Sequence, residues 1–248
     1  MFYDMNIAED QAALWFLGQA GYYIKSCGTS VLIDPYLSDS VGKSTTLFSR
    51  LYPSPVRADE MKADIFIVTH DHLDHLDPET VGPYPHKSST CFVAPRHAAK
   101  KLGTLGIPAE NIVVVDHGDS AEIGGVTVTG VFALGTGPDA VDTTGYLLRF
   151  PNGKTVYHSS DTAYCRLLLS ACPRANVLLV CINGKYGNLN IAEAIELTKA
   201  VDPEYAIPNH YDVMALNSEN PEAFRYFCAE ASIGDKCMIL NVMEPFIW

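Results

Sequence analysis

Seven consecutive residues, Thr69-His70-Asp71-His72-Leu73-Asp74-His75, hold the densest chemistry in this chain. Three of its eight histidines fall there with two aspartates, directly after the apolar run Ile65–Val68. Imidazoles and carboxylates at alternating positions on a strand-to-loop junction can converge on a divalent cation. Zinc is the default for such nitrogen and oxygen ligands, and manganese or iron suit sites shared with carboxylates. A solvated turn needs Asp, Asn or Gly and has no use for histidines at this spacing. Two more polar clusters end apolar segments: His158-Ser-Ser-Asp161 after Thr155–Tyr157, and Asn209-His210-Tyr211-Asp212 after Tyr205–Pro208. Two cations need about six to eight ligand atoms, which dispersed loops of this kind can supply.

Rigid elements must stand behind such groups. Short strands are expected at Leu14–Leu17, Tyr22–Lys25 and Val31–Ile33, broken by Gly18, Gly21 and Gly28. Ile65–Val68 reads as a strand buried on both faces. Further strands are expected at Cys91–Ala94, Ile112–Val115, Val126–Phe132, Tyr146–Phe150, Thr155–Tyr157, Val177–Ile182, Tyr205–Ile207 and Met238–Val242. Helical patterns cover 97–102, 163–171, 191–201 and 221–231, the third with Glu193 and Glu196 near its start and Lys199 near its end, as the helix dipole favours. Residues 38–63 read as a long loop with a short helix, and loops of that length in a compact domain are usually functional. Strands alternating with helices from residue 90 onward indicate α/β layers. The hairpin Gly21–Lys25, Val31–Asp34 is echoed by Gly145–Arg149, Thr155–Asp161, which suggests a single domain over residues 1–248 made of two related βα halves.

Composition narrows the classes. With 48% hydrophobic and 19% charged residues over 248 positions, the chain can build a sizeable core. A formal charge of -12, with no local basic patch, speaks against nucleic acid or an anionic membrane as partner. No apolar run approaches the ~20 residues of a membrane span. The N-terminal MFYDMNIAEDQ lacks the basic region of a secretory leader. The seven cysteines are odd in number and not CxxC-spaced, so they read as buried hydrophobes in a reducing cytoplasm, without disulfides.

The pattern His70-x-His72-x-Asp74-His75, followed by Asp161 and then His210 on later strands, resembles the metallo-β-lactamase-fold hydrolases. Leu17-Gly18-Gln19-Ala20-Gly21, Ile33-Asp34-Pro35-Tyr36-Leu37-Ser38, Val156–Asp161 and Ile207–Asp212 look like the L-ascorbate-6-phosphate lactonase branch, in the expected order from about residue 12 to 212. The resemblance implies an α/β, four-layer αβ/βα sandwich with the site at one edge, between the halves. It implies two divalent ions, zinc or manganese with iron as a further option. His70 and His72 would hold the first; Asp74, His75 and His210 the second, with Asp161 bridging. Asp34 matches an aspartate that hydrogen-bonds a ligand histidine and so fixes its tautomer. One departure stands out: the family's third histidine for the first ion is missing from Val131-Phe-Ala-Leu-Gly135-Thr-Gly137, and His117 lies too far back to replace it. The first ion is therefore expected to be weakly held, to be manganese, or to be completed by water or substrate, with His158 the nearer histidine that could complete it instead.

Water between two such cations has its pKa lowered toward neutrality and becomes a nucleophile. Asp74 or Asp161 would orient it, and His158 or Tyr211 would protonate the leaving oxygen. Lys185, in the glycine-rich Asn183–Gly187 loop, and Tyr211 are candidates to meet the substrate. No Gly-x-Ser-x-Gly elbow competes as nucleophile, and the glycine-rich loop lacks phosphate-loop spacing. The expected activity is that of a cytoplasmic metal-dependent hydrolase, lactonase- or esterase-like, on a small ester or lactone such as a sugar-acid phosphate lactone. Two other readings stay open: a phosphodiesterase acting on a phospholipid or small nucleotide, and a metal-binding sensor or scaffold without turnover. The partner expected is a small-molecule substrate, with a homo-oligomer left open.

Overall fold

Every residue of the first strand, β1 (Ala12–Gly18), is buried, because its two faces serve two different cores. Pleating sends alternate side chains to opposite sides. Leu14 and Phe16 join Tyr22, Ile33, Ile67, Tyr146, Leu148 and Leu179 in one cluster. Trp15 and Leu17 join Phe66, Phe92, Ala98 and Leu102 in another. The computed structural model describes residues 4–137 and 141–248, so the first three residues of the acidic N-terminal stretch lie outside the described residues.

The remaining strands are β2 (Gly21–Ser26), β3 (Thr29–Ile33), β4 (Ile65–Ile67), β5 (Cys91–Ala94), β6 (Ile112–Val114), β7 (Ser120–Ile123), β8 (Val126–Phe132), β9 (Thr144–Arg149), β10 (Thr155–His158), β11 (Val177–Cys181), β12 (Tyr205–Asn209) and β13 (Pro245–Ile247). They form one sheet in the order β13-β1-β2-β3-β4-β5-β6 and a second in the order β12-β11-β10-β9-β8-β7. The helices are α1 (Ser40–Ser44), α2 (Pro78–Val81), α3 (Arg96–Thr104), α4 (Arg166–Ala171), α5 (Ile191–Val201) and α6 (Pro221–Glu230). The sheets share the cluster around Leu14 and Leu148. Helices α2 and α3 cover the outer face of the first sheet through Val81, Ala98 and Leu102. Leu168, Leu197 and Phe224 of α4, α5 and α6 cover the second. The result is the four-layer α/β sandwich implied by the sequence.

Three local expectations are corrected. Met238–Val242 is not a strand: the segment crosses between the sheets, bridging Ala206 through Cys237 and Phe16 through Val242, while the strand forms further on, at β13. The helix expected from residue 163 starts at Arg166, because Ala163 N–H donates to the Leu134 carbonyl and Thr162 Oγ1 accepts from Leu134 N–H. Strand–helix alternation also breaks between residues 112 and 158, where β6 to β10 follow one another without a helix. There the unexpected strand β7 pairs with β8 across Gly124 and Gly125, whose φ values of 57° and 81° are those a two-residue hairpin turn demands.

Strands β3 and β4 run parallel, as do β10, β11 and β12. Asp34 follows β3, His70 comes just after β4, Asp161 just after β10 and His210 directly after β12. Gln19 follows β1, which runs in the direction of β3 because each is antiparallel to β2. The polar residues thus leave the strands at their C-terminal ends. Replacing Leu148, fully buried between the sheets, by Ala is expected to cost about 2–5 kcal/mol. Replacing its exposed neighbour Arg149 should stay within about 0.5 kcal/mol; equal losses in chemical denaturation would contradict this placement of the core.

Candidate metal centre

The site is built outward from a carboxylate. Asp34, fully buried, has the left-handed φ of 42°, which Asp tolerates better than most residues. Its Oδ1 accepts from Thr69 N–H at 2.8 Å and its Oδ2 from the Thr69 hydroxyl at 2.6 Å. The same Oδ2 lies 2.7 Å from His75 Nδ1. A carboxylate only accepts, so His75 Nδ1 carries the proton and Nε2 faces the other way. There it lies 3.4 Å from Asp161 Oδ1, 3.8 Å from Asp74 Oδ2 and 3.3 Å from His210 Nε2. The Thr69 hydroxyl proton is spent on Asp34, so its oxygen accepts from His70 Nδ1 at 3.0 Å. His70 Nε2 then points outward, 3.0 Å from His72 Nδ1.

The opposite wall comes from the second sheet and the turn after β1. Asp161 Oδ2 accepts from Asn188 Nδ2 at 2.7 Å. Its Oδ1 is buried without a well-formed hydrogen bond, although His210 Nε2 stands 2.9 Å away. Gln19 Nε2 donates to Asp74 Oδ2 at 2.9 Å and lies 3.0 Å from His210 Nδ1. Its backbone carbonyl accepts from His210 N–H at 2.8 Å. Gln19 and His210 have φ of 56° and 64°, a conformation non-glycine residues hold only when their surroundings impose it.

The ligand atoms of His70, His75 and Asp161 lie within 4.8 Å of one another, as do those of Asp74, His75 and His210. His75 belongs to both groups, and His72 joins through its contact with His70. This donor set fits a divalent cation: imidazole nitrogens face each other with no proton to share between all of them, and a buried carboxylate oxygen lacks a donor. Electrostatics treat the two imidazoles differently. Burial, reinforced by His75, pushes the His70 pKa well below its usual value, keeping the imidazole neutral as a ligand must be. Burial also disfavours charge on His75, yet Asp161, Asp74 and Asp34 outweigh it and hold its pKa well above the usual value; these carboxylates gather negative charge that a divalent cation would neutralise in place of that proton. Asp161 is likewise desolvated, but His210 and His75 keep it ionised.

Other residues singled out from sequence lie elsewhere. His158 is buried among the core aromatics, edge-on to Tyr22 at 5.8 Å. Its Nδ1 accepts from Ser160 N–H and its Nε2 donates to the Ala20 carbonyl, both at 3.0 Å. Neither nitrogen is left for a leaving group or a metal. Tyr211 packs on Phe16 at 5.1 Å and donates its hydroxyl to the Leu240 carbonyl. Lys185 donates its ammonium to the Ser218 carbonyl. His117 lines a separate cleft with Arg96 and His97. Sequence reading gave no role to Gln19, Thr69 or Asn188. The signal for Gln19 was a polar residue between Gly18 and Gly21 at the end of an apolar strand, where Gly18 has a φ of 95°.

Comparison with known proteins bears on the family and the fold. A model described as the beta-lactamase superfamily domain matches residues 29–211. A UPF0173 metal-dependent hydrolase of Thermoplasma acidophilum is 29% identical over 224 residues, covering 87% of this chain and 89% of that protein. The solved structure of Igni18, a metallo hydrolase from the archaeon Ignicoccus hospitalis, superposes with a TM-score of 0.77 at 21% identity, covering 96% and 98% of the two chains. YhfI from Bacillus subtilis, a metallo-beta-lactamase fold protein, gives a TM-score of 0.71 at 16% identity, covering 97% of this chain and all 100% of its own.

Two outcomes are expected. Gln19→Ala strips partners from Asp74 and His210, and metal affinity measured by competition with a chelator should fall about 10–100-fold; unchanged affinity would remove Gln19 from the centre. Burial lowers the His158 pKa below its usual value, so below about pH 6.5 the unfolded chain binds this proton before the folded one and stability falls as pH falls. Denaturation between about pH 7 and pH 5 should show a steeper loss in the native protein than in His158→Gln, whose amide keeps a donor and an acceptor. Equal slopes would contradict a neutral His158.

Proposed function

The chain belongs to the beta-lactamase superfamily domain family, and on that premise we propose that it is a hydrolase that turns a metal-activated water on a small ester or lactone. Its relatives are named metal-dependent hydrolases. The observation that carries the reading is the convergence of His70, His75, Asp161 and of Asp74, His75, His210 on a cleft of about 580 Å³ lined in part by His72, Asp74 and Asp161. We assign His70, His72, Asp74, His75, Asp161 and His210 as metal ligands, two divalent ions as the complement, and zinc or manganese as their identity. Such ions supply Lewis acidity that polarises a carbonyl and makes water nucleophilic near neutral pH.

The protein's own groups do the positioning. Asp34 and Thr69 fix the faces that His75 and His70 present. Asn188 holds one oxygen of Asp161 and leaves the other toward the centre. Asp74, at the cleft floor and anchored by Gln19, orients the attacking water by accepting its hydrogen bond. With His158 and Tyr211 engaged in the core, proton delivery to the leaving oxygen falls to groups at the cleft floor, Asp74 first among them, passing on the proton it takes from the attacking water. The two hairpins, β2–β3 and β9–β10, lead into Asp34 and Asp161 respectively, which supports reading the chain as one domain of two related halves.

Protein purified without chelator is expected to carry at least one zinc, manganese or iron per chain, and the His72→Ala/Asp74→Ala double variant to lose most of it. Asp161→Ala should lower turnover of small esters and lactones by at least about 100-fold. A double variant with full metal content, or a fully loaded native protein inert toward a range of small esters and lactones, would contradict the reading.

A further inference from the structure

The cleft walls above the metal ligands differ from the floor. Phe48, Leu73, Tyr186 and Met214 supply their apolar surface, and Thr136 and Asn217 are among their polar groups; no Lys or Arg lines the cleft among the described residues. The basic residues borne by the wall segments lie outside the cleft lining. Lys185 is held by the Ser218 carbonyl. Lys43 pairs with Glu79 at 2.6 Å. The Arg50 guanidinium lies over the Tyr36 and Tyr52 rings at 5.2 and 5.6 Å, donates to the Tyr36 carbonyl and, with its Nη2 buried without a hydrogen-bond partner, lines a different cleft beside Leu37 and Pro53. Phe48 and Tyr186 meet edge-to-face at 5.7 Å across the mouth, and Tyr186 stays 60% exposed, an apolar surface held open to solvent.

We propose that the substrate is a neutral acyl compound, an ester or lactone, whose apolar or aromatic arm lies against Phe48 and Tyr186 while its reacting carbonyl meets the floor. This rests on the hydrolase reading above and departs from the phosphorylated lactone suggested by the sequence resemblance. An anionic arm entering these walls sheds hydration and finds no cation, a loss that only a paired charge offsets. The net charge of -12 also works against an anion's approach. An aryl arm gains from burial and from a second ring edge. In the reaction, the water oxygen bonds to the acyl carbon, the acyl carbon–oxygen bond breaks, and the water's proton passes to the leaving alkoxide, giving an acid and an alcohol.

Calorimetric titration of zinc-loaded protein compares two probes that share a carboxylate for the floor, 3-phenylpropanoate and succinate. The aryl probe should bind at least about tenfold tighter, and the Phe48→Ala/Tyr186→Ala variant should erase that preference. Succinate binding as tightly as the aryl probe, or a preference that survives the double substitution, overturns the proposal. Turnover separates this claim from the hydrolase reading. Preferred hydrolysis of a phosphorylated sugar-acid lactone over a phenyl-substituted lactone overturns the substrate class and leaves the hydrolase standing. An aryl preference in binding with no turnover of either lactone leaves the occupant class standing and removes the hydrolase.

Discussion

The structure depends on a buried charge at the seam between two strands. Asp34 sits where β3 ends and reaches across to the turn after β4, accepting from Thr69 N–H, the Thr69 hydroxyl and His75. Such a carboxylate in the interior is costly unless its hydrogen bonds are complete. Here they are, and their completion sets the direction of two imidazoles. Without Asp34, His75 is free to present either nitrogen, the Thr69 hydroxyl is free to turn, and His70 loses its fixed acceptor. The candidate metal centre is thus oriented by a group that does not face the cleft.

The sandwich exists to bring such ends together. Its central strands are buried on both faces because each supplies alternate side chains to the inter-sheet core and to a helix layer. That leaves the strand ends as the places where polar groups can emerge. Asp34, Gln19 and His210 all emerge with left-handed backbones, and the His210 N–H bond to the Gln19 carbonyl joins an end of one sheet to an end of the other. The conformational cost is borne by the sheets behind them, whose pairing holds these turns in place.

The histidine cluster, the strands built on continuous apolar runs and helix α5 were legible because each depends on local pattern; α5 follows its capping box of Asn190 and Glu193. Side-chain direction at strand ends was not. His158 is the last residue of β10, and the pleat that sends Tyr157 to the helix layer sends His158 inward against Tyr22; only after the turn through Ser160, with φ of 61°, does Asp161 reach the edge. Tyr211 is adjacent to His210, yet the left-handed turn at His210 directs the two side chains apart. The segment 238–242 has strand composition but lies between sheets, a tertiary circumstance no local pattern records. Gln19 was visible as a motif residue, while its role needed the approach of Asp74 and His210 from distant parts of the chain.

The central claim is that these side chains enclose divalent ions whose positions the Asp34-oriented imidazole dictates. Anomalous diffraction from crystals grown with zinc tests it most directly. The account predicts density in contact with His75 Nε2, Asp161, Asp74 and His210, and a second peak about 3.5–4 Å away beside His70 and His72. Ions found only in the Arg96–His117 cleft, or a His75 ring flipped to present Nδ1 to the metal, would contradict it.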